Sequence, residues 1–499
     1  MENTVFSWGI ISFLLGTLGI GVWASKQVKG DSENFLVAGR GLSLPLAAAT
    51  LMAQSVDSNA TLGNTDLAAE FGFWAGAALP MGLAMCLFLA GTFFAKPMNR
   101  MGLMTLPDFY RIKYNRITEV VAAIIMVISF SFLLAGNLVA GGYIFQTFLG
   151  MSYVGGVTML ATLVFVYTAS GGLFAVAYTD AIQLLIALVG SLGVLTYLAL
   201  TFGLGADSGM GPLALDQLTS VGSGAAINWA SILALGFGNL VAIDFMARIF
   251  AAESPQTARR ACFTAAVGTL VIGIPFSIVA LSANRILDQA GITPDGPILF
   301  SLIQNVVPPF LALLVIAAIL SASLSTADGA ILGTSSVLAH NVLGIRHNTA
   351  QGVGGDRLLL ITRLMAVFIT LLGVFLALVV PQTGVLLLLA FDLSFAGLVG
   401  PLAGGLFWSR STWQGALACI VAGSLTRLTF FVLMPTMFGV DNTLLHISNG
   451  LFTPDFDGFP TLISPLVGLV AFVGVSNLTY KPLSPEQQQA ELKKSIHTL

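Results

Sequence analysis

Charge is what this sequence has least of. Lys, Arg, Asp and Glu make up 9% of its 499 residues, where a soluble chain carries about a quarter. With 56% apolar residues and a mean hydropathy of +0.91, the composition excludes an ordinary water-soluble domain and reads as a polytopic membrane protein. Cysteine is scarce as well. Cys86, Cys262 and Cys419 lie far apart in apolar runs with no metal or redox spacing, which excludes a disulfide framework and leaves buried thiols. The chain has no Walker loop, no Rossmann turn, no nucleic-acid-binding surface and no repeat of 20–50 residues. Its net charge of −3 is uninformative about partners, because the few charges are segregated by side.

What is present is a series of apolar runs, each long enough to cross a bilayer of about 30 Å. Windows of about 20 residues place a leading helix at 5–24, five at 43–71, 72–95, 117–148, 152–170 and 173–203, and five more at 227–250, 261–283, 306–343, 358–380 and 384–408. Two close the chain at 412–437 and 460–479, before a polar tail at 481–499. Thirteen helices in one transmembrane domain over 1–480 is the expectation. Met1-Glu2-Asn3-Thr4 lacks a positive leader region and Lys26 and Lys29 follow the first apolar run, so that run reads as a retained helix. Alternate loops hold 18 of the 20 basic residues, all but Arg285 and Arg427. By the positive-inside rule the N-terminus is outside and the C-terminus cytoplasmic. This reading assigns Arg248, Arg259 and Arg260 to one inner loop.

Polar groups interrupt several of these runs. Between Leu44 and Phe71 stand Gln54, Ser55, Asp57, Ser58, Asn59, Thr61, Asn64, Thr65 and Asp66. A carboxylate at a helix centre costs about 2.5–3.5 kcal/mol on insertion scales, so these groups must face a cavity, an ion or a partner, and the segment is expected to break in mid-membrane. The second block of five must be inverted relative to the first, since five is odd. Its opening helix carries Gly236-Phe237-Gly238-Asn239 and then Asp244. Interruptions at matching positions of two halves point to a transporter's binding site, although the glycines alone equally suit close packing. Ala322, Ser325 and Thr326 share a helix face at i, i+3, i+4. Their oxygens suit Na⁺, or else the hydroxyls bond back to i−4 carbonyls. Asp180 and Asp328 are a second pair of candidates, for a cation or a proton, with a cytosolic interface role open for Asp180. Asn137 reads as an interhelical hydrogen bonder, and Asp392 needs a partner.

Several segments together resemble the sodium/solute symporter family, its sodium/proline branch above all. They are Phe35-Leu36-Val37-Ala38-Gly39-Arg40, Leu106-Pro107-Asp108-Phe109-Tyr110, Leu138-Val139-Ala140-Gly141-Gly142 with Phe148-Leu149-Gly150-Met151-Ser152-Tyr153, Ser170-Gly171-Gly172-Leu173 with Thr179-Asp180-Ala181-Ile182-Gln183, the Ala-x-x-Ser-Thr pattern at 322–326, and Gly405-Leu406-Phe407-Trp408. The resemblance implies an all-α membrane protein of the leucine-transporter fold, a 5+5 inverted repeat with an extra N-terminal helix. It implies Na⁺ as coupling ion, no organic cofactor, no enzymatic activity, and partners limited to a small solute and the bilayer, a monomer being adequate. Carried over by motif, the Na⁺ ligands are the carbonyls of Ala53, Val56 and Ala322 and the hydroxyls of Ser325 and Thr326. Some members hold a second Na⁺ with the residue matching Asp180 and with serines where this chain has Asp328 and Gly329, so two sodium ions are in question here. Solute candidates are Asp57, Asn59, Asn137, Asp244 and Asp392. The expected function is Na⁺-driven uptake of an amino acid or other amine-bearing solute across a bacterial inner membrane. Proton coupling through Asp180 and Asp328, or a sensor on the same fold, are the rivals.

Overall fold

A computed structural model describes residues 2–294, 296–346, 356–381, 383–442 and 446–481; the 481–499 tail lies outside this set apart from Lys481. Helices dominate: nine of the described helices are long and apolar enough to cross a membrane, eleven with two bent pairs. Dividing Tyr153–Thr201 at Gly172 and adding the polar, broken segment 44–71 gives thirteen spans among the described residues. They are α1 (Phe6–Gln27), α2 in two parts (α2a, Leu44–Ser55; α2b, Asn64–Phe71), α3 (Phe73–Arg100), α4 (Arg116–Leu149), α5 (153–171), α6 (173–201), α7 in two parts (α7a, Ala225–Val241; α7b, Ile243–Ala251), α8 (Pro255–Gln289), α9 (Pro309–Val342), α10 (Arg357–Val379), α11 in two parts (α11a, Leu386–Gly397; α11b, Val399–Phe407), α12 (Trp413–Leu433) and α13 (Phe459–Thr479).

Polar caps mark where many of these spans begin. Asn115 accepts from the Thr118 N–H at the start of α4, Ser254 from Thr257 at α8, Asp356 from Leu358 and Leu359 at α10, and Thr412 from Gly415 at α12. Each cap satisfies an amide that the first helical turn leaves without a partner. Pro255 and Pro309 open α8 and α9, where a missing N–H costs nothing.

From Tyr153 to Thr201 helical residues follow one another over 49 positions with only Gly172 departing from helical geometry. At 1.5 Å per residue that is about 73 Å, more than twice a bilayer core. The chain turns at Gly172, with φ 53° and ψ −143°, conformations that glycine adopts without the penalty of a Cβ. A side chain there would also meet Phe35, its ring Cγ only 2.8 Å from the added carbon. One glycine therefore makes two spans of one helix.

Three spans are broken. In α2 the helix stops at Ser55, Val56 takes φ −101° and ψ 72°, and a π-helical turn, Asn59–Gly63, leads into α2b. In α7 the two parts bend by 49° about Ala242, and in α11 by 44° about Leu398. The interruptions expected in α2 and α7 are present; the α11 bend had no polar signal. Gly238 lies against the Phe391 backbone of α11a, whose carbonyl carbon would be 3.0 Å from an added Cβ. That glycine serves close packing, and the break falls four residues later.

Candidate functional site

The unwound stretch of α2 exposes backbone groups in mid-membrane, and such groups survive only where protein or ligand satisfies them. Asp57 accepts from the Ala60 N–H (2.7 Å) and so restarts the helix. Asn137 of α4 accepts from the Ser58 hydroxyl (2.8 Å) and amide (3.3 Å), and donates to Leu133 O (2.9 Å). From α8, Gly273 O receives Asn64 Nδ2 (2.9 Å), Ser277 donates to Asn64 Oδ1 (2.6 Å), and Thr269 pairs with Ser55. The break is thus clamped by α4 and α8. The side chain of Asn59 lies outside the described residues.

On its remaining side the break faces α9. Ser325 Oγ is 3.1 Å from Ala53 O and 3.2 Å from Ala322 O, donating to one or the other. Ala53, Val56, Ala322 and Ser325 line one cavity of about 10 Å³ together with Gln183, Leu184, Ala187 and Ser321. That is room for about one water-sized sphere. Thr326 Oγ1, 1% exposed as a residue, has no hydrogen-bond partner. Nor do Ser321 Oγ or the Gln183 amide. Unsatisfied buried oxygens at this density are costly, and a hard cation is the ligand that oxygens of this kind satisfy. Gln54 bridges the two helices by donating to Ser325 O.

The acidic candidates separate into distinct environments. Asp180 of α6 accepts from Thr50 and from Arg248 Nη2 (3.3 Å) through the same Oδ2. Arg248 also donates to Thr50 Oγ1 (2.9 Å) and to Asp244 O (3.0 Å), and is 1% exposed. It belongs to α7b and not to the inner loop where its charge alone puts it. Its spacing from Asp244, i+4 on an otherwise apolar helix, was the available signal that it faces inward. Asp328 of α9 accepts from the Tyr167 hydroxyl of α5 (2.7 Å). Asp244 accepts from the Phe245 N–H (2.7 Å) at the start of α7b, and its charge interacts with that of Asp57. Each of these two interrupted helices thus carries one buried carboxylate just past its break, Asp57 in α2 and Asp244 in α7. Asp392 stands apart from them: Arg427 of α12 and Thr461 of α13 (2.9 Å) bind its Oδ2, and Arg427 also lies 4.0 Å from the Phe431 ring centre. It is the partner that Asp392 required.

At one end of the bundle a further cluster went unread in the sequence. Asp108, on the short helix Pro107–Lys113 between α3 and α4, meets Arg346 (2.7 Å), His340 (3.1 Å) and Asn341 (3.0 Å). Arg346 and Asn341 also bind Glu119 of α4 (2.6 and 2.8 Å). Burial pushes the Asp108 carboxyl up, but the hydrogen bond and charge of His340 and the charge of Arg346 outweigh it and hold it at about 2. The cluster ties the end of α9 to α4.

Known proteins share this architecture. The profile of the Sodium:solute symporter family matches residues 35–423. The high affinity choline transporter 1 of Homo sapiens is 28% identical over 458 residues, covering 86% of this chain and 78% of its own. The sodium/proline symporter of Escherichia coli (strain K12) is 26% identical over 344 residues, 66% of this chain and 67% of its own. Among solved structures, a Na⁺-coupled sialic acid symporter in a substrate-bound outward-open state superposes with a TM-score of 0.76 over 96% of this chain and 99% of that one, at 15% identity. A nucleobase-cation-symport-1 family transporter gives 0.56 over 91% and 97% at 14% identity. These likenesses establish the leucine-transporter fold with its 5+5 inverted repeat. The chain is a transporter and not an enzyme, Na⁺ is its coupling ion, and it belongs to the sodium:solute symporter family.

Proposed function

We propose that this protein carries Na⁺ inward together with a small solute bearing a cationic nitrogen, by alternating access across a bacterial inner membrane, with its N-terminus outside and its C-terminus in the cytoplasm. Ala53, Val56, Ala322, Ser325 and Thr326 hold the ion. The observation that carries this reading is the meeting of Ser325 Oγ with the carbonyls of Ala53 and Ala322 where the unwound part of α2 faces α9, beside the buried Thr326 hydroxyl that has no hydrogen-bond partner. Na⁺ there ties α2a to α9 and fixes the break in a solute-binding shape; its loss to the cytosol loosens both. Each charge moved inward gains about 2.3 kcal/mol per 100 mV of membrane potential. A single chain holds all of these residues, so a monomer suffices.

Asp57 and Asp244 supply the counter-charge for the solute, one from each interrupted helix. Choline and proline, the solutes named for two of the relatives, both carry a positive nitrogen, which fits this pair. Asn137 shapes the pocket by holding Ser58, with Asn59 beside it on the same turn. Asp392, neutralised by Arg427, is left out of the solute contacts.

A thermal-shift screen of choline, proline, neutral sugars and carboxylates with and without Na⁺ tests the solute class. Stabilisation by cationic-nitrogen solutes only in Na⁺ is the expected pattern; stabilisation by sugars or purely anionic solutes contradicts it. Ser325→Ala and Thr326→Ala should each raise the Na⁺ concentration for half-maximal stabilisation about tenfold, the loss of roughly 1.4 kcal/mol. Unchanged Na⁺ dependence in both would remove them from the site.

A further inference from the structure

Asp328 and Gly329 lie one turn beyond Ser325 and Thr326 on α9. Ser325 and Asp328 are three residues apart, about 4.5 Å along the axis and on one face. Asp328 is fully buried, its Oδ2 takes the Tyr167 hydroxyl, and its Oδ1 makes no hydrogen bond of good geometry. Gly329 makes room for Gln54: an added Cβ would stand 2.9 Å from the Gln54 Cδ. The Gln54 amide thereby reaches Ser325 O, and its own Oε1 has no partner. Across from this face, Asp180 has a cation already. Arg248 is bonded to it, fully buried, and held from two other sides by Thr50 and Asp244 O. Charges on Asp180, Asp328 and Arg248 all interact. Asp180, Asp244 and Asp328 therefore share the one built-in cation Arg248. Asp328 makes no ion pair of its own among the described residues, and its charged form requires a cation beside it. The Na⁺ held one turn away at Ser325 and Thr326 is that cation.

We propose that this chain binds one Na⁺ per cycle, with Asp328 as the counter-charge of that ion and Arg248 as a tethered cation in the place beside Asp180. The inference rests on the Na⁺ site described above and adds to it the number of ions and the residue that neutralises them. Asp328 acts through space and is a positioning residue for the ion, since the five ligands proposed above are all neutral oxygens.

Binding of radioactive sodium to the purified full-length chain tests this. The wild type should bind one Na⁺ with a Hill slope of one. Asp328→Asn should weaken binding tenfold or more, and Asp328→Glu, which restores the charge, should return it to within about threefold. Asp180→Asn combined with Arg248→Gln removes both members of the pair and should still bind one ion. Two ions per wild-type chain, a Na⁺ titration of Asp328→Asn superimposable on wild type, or loss of an ion in the double variant would overturn the proposal while leaving the Na⁺ site standing. Absence of saturable Na⁺ binding in the wild type would overturn the site itself, and this inference with it.

Discussion

Buried arginines govern the residue scale. Arg248 and Arg427 each face a carboxylate inside the bundle, and both are buried. Removing one member of such a pair leaves a charge without compensation and costs about 3–5 kcal/mol, whereas replacing both by apolar groups of similar volume is often neutral. Arg427→Met and Asp392→Leu should accordingly each lower the thermal midpoint sharply, and the double variant should recover most of the loss. Additive losses would contradict the pairing. Asp108 makes a pH-dependent prediction of the opposite kind. Its carboxyl is held at about 2, below the usual 3.8, so its stabilisation is complete above pH 4 and lost as pH falls toward 2. The difference corresponds to about 2 kcal/mol. Thermal midpoints measured from pH 7 to pH 2.5 should fall more steeply at the acid end for the wild type than for Asp108→Asn; parallel curves would show that the cluster does not hold the charge. None of these partners was legible in the sequence as a pair. Asp392 announced that it needed a cation, but Arg248 was hidden by standing at the end of an apolar run, where the same residue reads equally well as a loop charge.

At the scale of the element, breaks matter more than helices. The α2 and α7 interruptions were legible because polar residues at a membrane centre cannot be packing, and the 153–201 run was divisible because its length and a Gly-Gly pair forced a turn. The α11 bend at Leu398 went unread although its signal was there: Pro401 has no N–H for the Gly397 carbonyl four residues back, and in a straight helix its ring clashes with that carbonyl. Gly172 and Gly16 separate conformational need from composition. Gly172 has positive φ and Phe35 against it, while Gly16 sits in α1 with open space at its Cβ. Gly172→Ala should cost about 2 kcal/mol or more, and Gly16→Ala should change stability by no more than about 0.5 kcal/mol. Equal effects in chemical denaturation would contradict the role given to the turn between α5 and α6.

For the whole molecule, two interrupted helices, α2 and α7, face each other across a centre walled by α4, α8 and α9. The alternation of basic loops carried the helix count, since one missed span would have scrambled it. What needed the fold was the assembly: Ser325 is 272 positions from Ala53, yet the two meet at 3.1 Å, and only tertiary packing or a family resemblance can join such residues. The central claim is that an inward Na⁺ gradient drives solute uptake through this junction. Uptake of labelled choline and labelled proline into proteoliposomes, under an imposed Na⁺ gradient or an imposed proton gradient, tests it most directly. Accumulation of one of them with the Na⁺ gradient alone, abolished when Na⁺ is replaced by K⁺, is the predicted result. Accumulation driven equally well by protons in the absence of Na⁺ would contradict it.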